Sequence, residues 1–461
     1  MTEKVFLHQL RRGIGSAIIE LKENPERDKY RDIVLRCCLR DISHDWQVEG
    51  RKGRYLYLAI CALGDKGYLE KILIGEFLSR CPDRLFGQLS EILSCYADDG
   101  SESSKDAFRA KYKYFASKNG RLSKTFSLDE GYQLGNVALR LFTIDGFFAF
   151  KRYATDMGEL LKGPHSNRNV LYYDCLITEA EDIFGKKRTN AFTMKMYEKS
   201  DAIKSLIDAI TSDEFSRRQY QESRKEEQVA VETIVQTAKE MASGEIRHYG
   251  PIMRLRRPFL KNASEADVLE LAHVALREEN ETVKGLLLRI FLSSAYWKKP
   301  FPLGIAPLLE YARSDNQILY ETVLGLLEEF KDKRIRELAM QLLKAKGIKS
   351  FALGLLQKNY RKSVDPIIAG AIKRASSIPQ HVQSDIVEIY SRHRSAGALP
   401  ILLHAYQKGE CSHCRFGIVK ALHHNKVLPD EILAQCLYDS YEDTRKLAKR
   451  LLEKRSERKC F

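Results

Sequence analysis

Ser314–Ala345 reads SDNQILYETVLGLLEEFKDKRIRELAMQLLKA. Apolar residues return every three or four positions through two runs separated by Phe330, Lys331 and Asp332. That spacing predicts two amphipathic helices set back to back, and it is not the alternation a strand needs. Similar runs recur to the end of the chain, at about 267–277, 281–294, 305–313, 316–330, 332–345, 350–360, 364–375, 379–394, 398–408, 411–424, 430–439 and 442–454. Helices of three to four turns, paired at a period of roughly 30–37 residues, are the mark of a stacked array in which each pair covers its neighbour's apolar face.

Two of these helices resemble the second helix of a HEAT repeat: Asp332-Lys-Arg-Ile335-Arg336-Glu-Leu-Ala339 and Asp443-Thr444-Arg445-Lys-Leu-Ala448. Glu281-Thr-Val283-Lys284 is a weaker match. In this pattern the Asp caps the helix start and the branched and small residues face inward. The resemblance covers about the last 200 residues and implies an α-solenoid, with a basic side chain able to pair with an Asp of the next repeat. It implies an architecture and no activity. Its phasing slips, because the helices from Asn316 and from Asp332 both look like second helices.

The N-terminal region also reads as helical. Phe6, Leu10, Ile14, Ile18 and Leu21 fall on one face of a helix over about 3–22. Further helices follow at about 26–38, 53–64, 68–79, 82–96, 104–117 and 128–142, and the pattern loosens over 160–210. Residues 212–243 form a polar run that predicts one long connecting helix. The expected division is an all-helical region over 1–212, a connecting helix over 213–245 and a HEAT-like solenoid over 246–461. The expected class is all-α, stacked antiparallel helix pairs.

Across 461 residues the chain is 44% hydrophobic and 30% charged, with a formal charge of +14, which favours acidic partners. Ten scattered cysteines, several inside apolar helical runs, suit a reducing compartment better than a disulfide framework. No signal peptide and no membrane span is read, so the expected location is cytoplasmic. No P-loop, dinucleotide fingerprint, HExxH or GxSxG occurs, so no enzyme is expected and no cofactor is assigned.

Cys411, Cys414 and Cys436, with His423 and His424, have the residue types of a zinc site. One helix over 411–424 would hold Cys414 and His423 roughly 13 Å apart at 1.5 Å per residue, so no metal is expected. Two basic stretches with aromatic residues are the candidate partner or polyanion contacts. In 108–124 they are Arg109, Lys111, Lys113, Lys118 and Arg121. Phe108, Tyr112 and Phe115 would share the buried face of that helix. In 247–261, read as an exposed extended segment because of its prolines, they are Arg254, Arg256, Arg257 and Lys261. Trp297, Lys298 and Lys299 are taken to lie on the same edge.

The expected function is a non-catalytic adaptor or scaffold that binds another protein through a helical-repeat surface. The alternative is a nucleic-acid-binding solenoid that contacts phosphates through 108–124 and 247–261. Oligomeric state is left open by the sequence.

Overall fold

Helices Gln317–Leu327 and Lys333–Lys344 both form, but their main partners lie elsewhere. Gln317–Leu327 packs on Ala306–Tyr311 before it, and on Glu281–Leu288 and Phe351–Gly354 to either side. Lys333–Lys344 packs on Phe351–Gly354 and on Asp365–Lys373. The first is thus the second helix of one pair, and the second opens the next pair. This resolves the slipped phasing and corrects one expectation: the Asp332 motif stands on a first helix. Asp332 does cap it, accepting the Arg334 amide at 2.8 Å. Its carboxylate also takes the guanidinium of Arg334 at 3.0 Å, within its own turn.

These are features of a computed structural model that describes residues 1–79, 82–117, 128–162, 173–223, 229–244, 249–294, 299–345, 351–375 and 377–459. Among them are 27 α-helices and no strand, with one isolated bridge between Ile378 and Gly409. The architecture is all-α, built of packed helix pairs. No described helix is long and apolar enough to cross a membrane.

The chain falls into two compact units. Unit 1 is Met1–Ser223 with Cys411–His413 and Asp430–Phe461, and unit 2 is Arg224–Glu410 with Cys414–Pro429. This is a different division from the one at 212 and 245, because the last helices pack with the first. Helix Glu442–Lys459, which carries the Asp443 motif, falls in unit 1. The expected helix over 212–243 is two helices, Asp201–Ser223 and Val231–Ala242.

In unit 2 the inner faces are closed by Val323, Leu324, Leu326 and Leu327 on one helix and Leu286, Leu287 and Leu288 on its neighbour, all buried. Each such side chain contributes about 2 kcal/mol by leaving water. Gly285 lets these two helices approach, since a Cβ there would stand 2.8 Å from the Leu319 nitrogen.

A repeated polar device holds the turns of unit 2. The Asn359 carboxamide accepts the Asp332 amide at 2.8 Å and donates to the carbonyls of Phe330 and Leu355, both at 2.9 Å. Asn425, two pairs later, accepts the Ser395 amide at 2.7 Å and donates to the carbonyls of Tyr390 and Ala421 at 2.7 and 2.8 Å. Between them, His393 takes the corresponding place, with Nε2 3.2 Å from the Gln357 carbonyl and its ring stacked on Tyr360. In each case a polar side chain just after a second helix ties down the turn or short helix of the preceding pair. Asn425→Ala removes three such bonds in a buried site and leaves main-chain groups without partners, so a loss of about 2–3 kcal/mol is expected in denaturant unfolding. A change below about 0.5 kcal/mol, the range of an ordinary surface substitution, would refute this role.

Unit 1 is ordered by Gly53–Leu63, which packs on Ser16–Glu23, Arg31–Cys38 and Asp83–Asp98. Aromatic residues fill its core, with Phe77 against Phe86 and Phe108, and Phe142 against Phe150 and Tyr153. The expected helix over 3–22 is broken into Glu3–Arg12 and Ser16–Glu23. Gly13 adopts φ 73°, ending the first helix in the left-handed region that glycine favours, and its carbonyl accepts the Ser440 amide at 2.9 Å.

Candidate functional site

The basic stretch 108–124 begins on helix Glu102–Ser117. Phe108, Tyr112 and Phe115 are buried on one face, as their spacing predicts. Lys111 is also buried, which corrects its place among the candidate contacts. Its ammonium donates to the carbonyl of Ser79 at 2.8 Å and lies 5.6–5.8 Å from the rings of Phe77, Phe86, Tyr114 and Phe115. Arg109 is held by Asp145 at 2.7 Å and Asp106 at 2.8 Å, and hydrogen bonds to these carboxylates raise its pKa. Lys113 remains exposed. Lys118 and Arg121 lie outside the described residues.

The stretch 247–261 is a helix from Gly250 to Asn262, not an extended segment. Pro251 sits in its first turn, where no amide donor is needed, and Pro258 is accommodated inside it. Arg256 points into the core, with Nε 2.9 Å from the Ile290 carbonyl, so it is no surface contact. Burial, together with the charge of Arg289, pushes its pKa below the ordinary arginine value. Arg254, Arg257 and Lys261 are exposed, and steps of three and four residues put them on one helix face. Lys299 is exposed too, whereas Trp297 and Lys298 lie outside the described residues.

A concavity lies in unit 1, around a segment the basic stretches do not include. Asp45 caps the short helix Trp46–Glu49, accepting the Gln47 amide at 3.1 Å. Gly50, at φ 72°, turns the chain towards Gly53–Leu63. Inside this turn Glu49 and Lys52 form a buried ion pair at 3.2 Å, with side chains 0% and 2% exposed. Lys52 donates further to the carbonyls of Arg11 at 3.1 Å and Ile42 at 3.2 Å. Glu49 accepts the amide and hydroxyl of Ser412 at 2.7 and 2.9 Å, as well as the His44 amide. Burial alone would raise the Glu49 pKa, but the Lys52 charge and these donors hold it below the usual value. One buried carboxylate thus ties the 44–52 turn to residues more than 350 positions away.

Above this knot lies a cleft of about 520 Å³. Val48–Arg54, helix Asp83–Asp98 and the segment Ser440–Arg445 supply its walls. Arg51 donates to the Tyr132 hydroxyl at 2.6 Å, and its guanidinium carbon lies 5.3 and 5.4 Å from the ring centres of Trp46 and Tyr132. Gly87 makes room for it, since a Cβ there would fall 2.0 Å from the guanidinium carbon. Arg445 donates to the carbonyls of Asp439 and Ser440 at 2.7 and 2.9 Å. Arg54 is exposed. Among the acids, Glu91 accepts the Gly53 amide at 3.0 Å, yet burial keeps its pKa above the ordinary carboxylate value despite the neighbouring Arg51. Asp98 pairs with Arg140, and Glu442 with Lys446 at 2.9 Å.

Nothing in the sequence joins the segment 44–54 to Ser412 or to Ser440–Arg445, because no local pattern points across such separations. Among the described residues, no group of three or more His, Cys, Asp or Glu side chains stands where it could hold a metal ion.

No family model matches the chain. No curated protein matches it either. Among solved structures it is similar to karyopherin Kap121p bound to RanGTP, at 11% identity and a TM-score of 0.31, over 95% of this chain and 55% of that one. It is also similar to Kap121p bound to the SUMO protease Ulp1p, at 10% identity and a TM-score of 0.33, over 98% of this chain and 56% of that one. A microtubule polymerase TOG-domain array that recruits tubulin matches at 11% identity and a TM-score of 0.20, over 95% and 97% of the two chains. The chain spans about half the length of the karyopherin chains it matches. At these scores the likenesses carry no argument, and the fold stands on the helix pairing itself.

Proposed function

We propose that the chain is a non-catalytic adaptor or scaffold that presents helical surfaces to a protein partner. The observation that supports this reading is where its buried polar groups are engaged. Asn359, Asn425 and Glu49 all close turns or join segments of the chain. Asp365 does the same for three hydroxyls, those of Tyr360, Tyr390 and Ser395. Groups held this way fix a surface; they are not poised beside an open reaction centre. The test is affinity purification with the full chain as bait, followed by washing at rising salt. The expected result is one stoichiometric protein partner that stays bound at salt concentrations where surface charges are screened. Recovery of no partner, or of one that leaves as soon as salt rises, would overturn the reading.

A second reading, nucleic-acid binding, is supported by the exposed face formed by Arg254, Arg257 and Lys261. It predicts oligonucleotide binding at about 50 mM salt that falls steeply as salt is raised. The double variant Arg254→Glu with Arg257→Glu should weaken it evenly across sequences. Equal binding by that variant would remove this helix from the reading.

A further inference from the structure

We propose that the cleft between Val48–Arg54, Asp83–Asp98 and Ser440–Arg445 binds a peptide carboxylate that is flanked in the same peptide by a basic residue. This rests on the protein-binding reading above and names the chemistry of the segment that is bound.

The charges lining the cleft are unequally answered from within the chain. Of five carboxylates, Glu49 is met by Lys52 and Ser412, Asp98 by Arg140, and Glu442 by Lys446. Burial favours the neutral form of the fourth, Glu91. The arginines are met differently. The hydrogen bonds of Arg51 go to a hydroxyl and those of Arg445 to two carbonyls, neutral oxygens that orient the guanidinium. Glu91 lies near Arg51, and Asp439 and Glu442 lie near Arg445. Arg54 is exposed beside them. The interior therefore presents oriented guanidinium groups, whose forked donors match a carboxylate in two-pronged geometry.

Size and rim narrow the ligand. A cleft of about 520 Å³ accepts a few residues of extended chain and is too small for a folded element. Glu442 and Asp443 are exposed at its edge and disfavour a continuous polyanion such as a nucleic-acid strand, because like charges would face each other. The same rim favours a lysine or arginine next to the bound carboxylate. That carboxylate can come from an Asp or Glu side chain or from a peptide C-terminus.

The test uses the full chain and a random seven-residue peptide display library, with enriched peptides synthesised and measured by fluorescence anisotropy. Enriched peptides are expected to carry a carboxylate beside a basic residue. Glu→Gln and C-terminally amidated versions tell the two carboxylate sources apart. Arg54→Glu, at an exposed position, should leave the thermal midpoint in place and weaken binding at least about tenfold, the scale of one lost charge-assisted contact. Asp443→Lys should reduce the preference for the basic neighbour. Peptides without a carboxylate, equal binding by Arg54→Glu, or displacement by a single-stranded oligonucleotide would overturn the proposal. If a protein partner is recovered equally well by Arg54→Glu, the cleft fails while the scaffold reading stands. If no partner is recovered at all, the scaffold reading fails.

Discussion

Glu49→Ala is expected to destabilise unit 1 by about 3–5 kcal/mol, the cost of leaving one member of a buried ion pair alone. Lys52 would keep its charge inside the core beside the carbonyls of Arg11 and Ile42, which do not neutralise it. The Ser412 amide and hydroxyl would lose their acceptor in a site closed to water. Denaturant unfolding followed by tryptophan fluorescence measures the loss, Trp46 standing at the start of the same helix. The paired replacement Glu49→Leu with Lys52→Met should recover much of it, since an apolar pair of similar volume avoids desolvating two charges. A loss under about 1 kcal/mol for Glu49→Ala would show that the knot is not what joins Ser412 to the 44–52 turn. The folded-state pKa of Glu49 is depressed. Its contribution is therefore present above the unfolded value near 4.5 and is lost as pH falls through the folded value.

Glu328→Gln carries the opposite sign. Glu328 is largely buried in unit 2, where Gly354 approaches so closely that a Cβ would stand 2.0 Å from its carboxylate. Burial, then the charges of Asp385 and Glu329, push its pKa up to about 8. Asp385 is itself raised to about 7 by burial, with Glu388 adding to the rise and the Gln357 carboxamide, 3.0 Å away, opposing it. Lys358 pairs with Glu329, leaving Glu328 without that cation's help.

A carboxyl whose folded pKa is raised holds its proton where the unfolded chain releases it. Its stabilising share is complete below about pH 4.5 and is lost as pH rises through about 8. For a shift of this size the swing is on the order of 5 kcal/mol. Glu328→Gln should thus be more stable than the parent at pH 9 by a few kcal/mol and close to it at pH 4.5. The difference between the two proteins at each pH is the readout, which cancels the titration of every other group. A difference that does not change with pH would mean Glu328 is ionised in the folded chain at neutral pH.

The helix pairs of unit 2 were legible because helical periodicity is local, and Ala398–Lys408 was placed to the residue. What periodicity cannot supply is the partner. The two runs of the 314–345 stretch looked alike, since both bury leucines every third or fourth position. Only packing shows that one closes a pair and the other opens the next. Lys111 illustrates the same limit. Its sequence neighbours are basic and aromatic, but the carbonyls that receive its ammonium belong to Leu78 and Ser79 at the end of another helix. Arg256 likewise faces a carbonyl 34 positions on. The cleft was the least legible feature, because its walls come from residues 48–54, 91–98 and 440–445. The break at Gly13 could have been read from Gly13-Ile-Gly15, where the apolar face continued across two residues that weaken a helix.

Unit 1 is completed by residues that follow nearly all of unit 2 in the chain. During synthesis at 5–20 residues per second, residues 224–410 alone take roughly 10–40 s to make. Over that interval the N-terminal helices exist without Ser412, Ser440 or Arg445. The buried Glu49–Lys52 pair is then open on one side, and the third wall of the cleft is missing. The nascent chain therefore passes through a stage in which an unfinished acidic and basic surface faces solvent or a chaperone. A chain stopped before Cys411 would remain in that state.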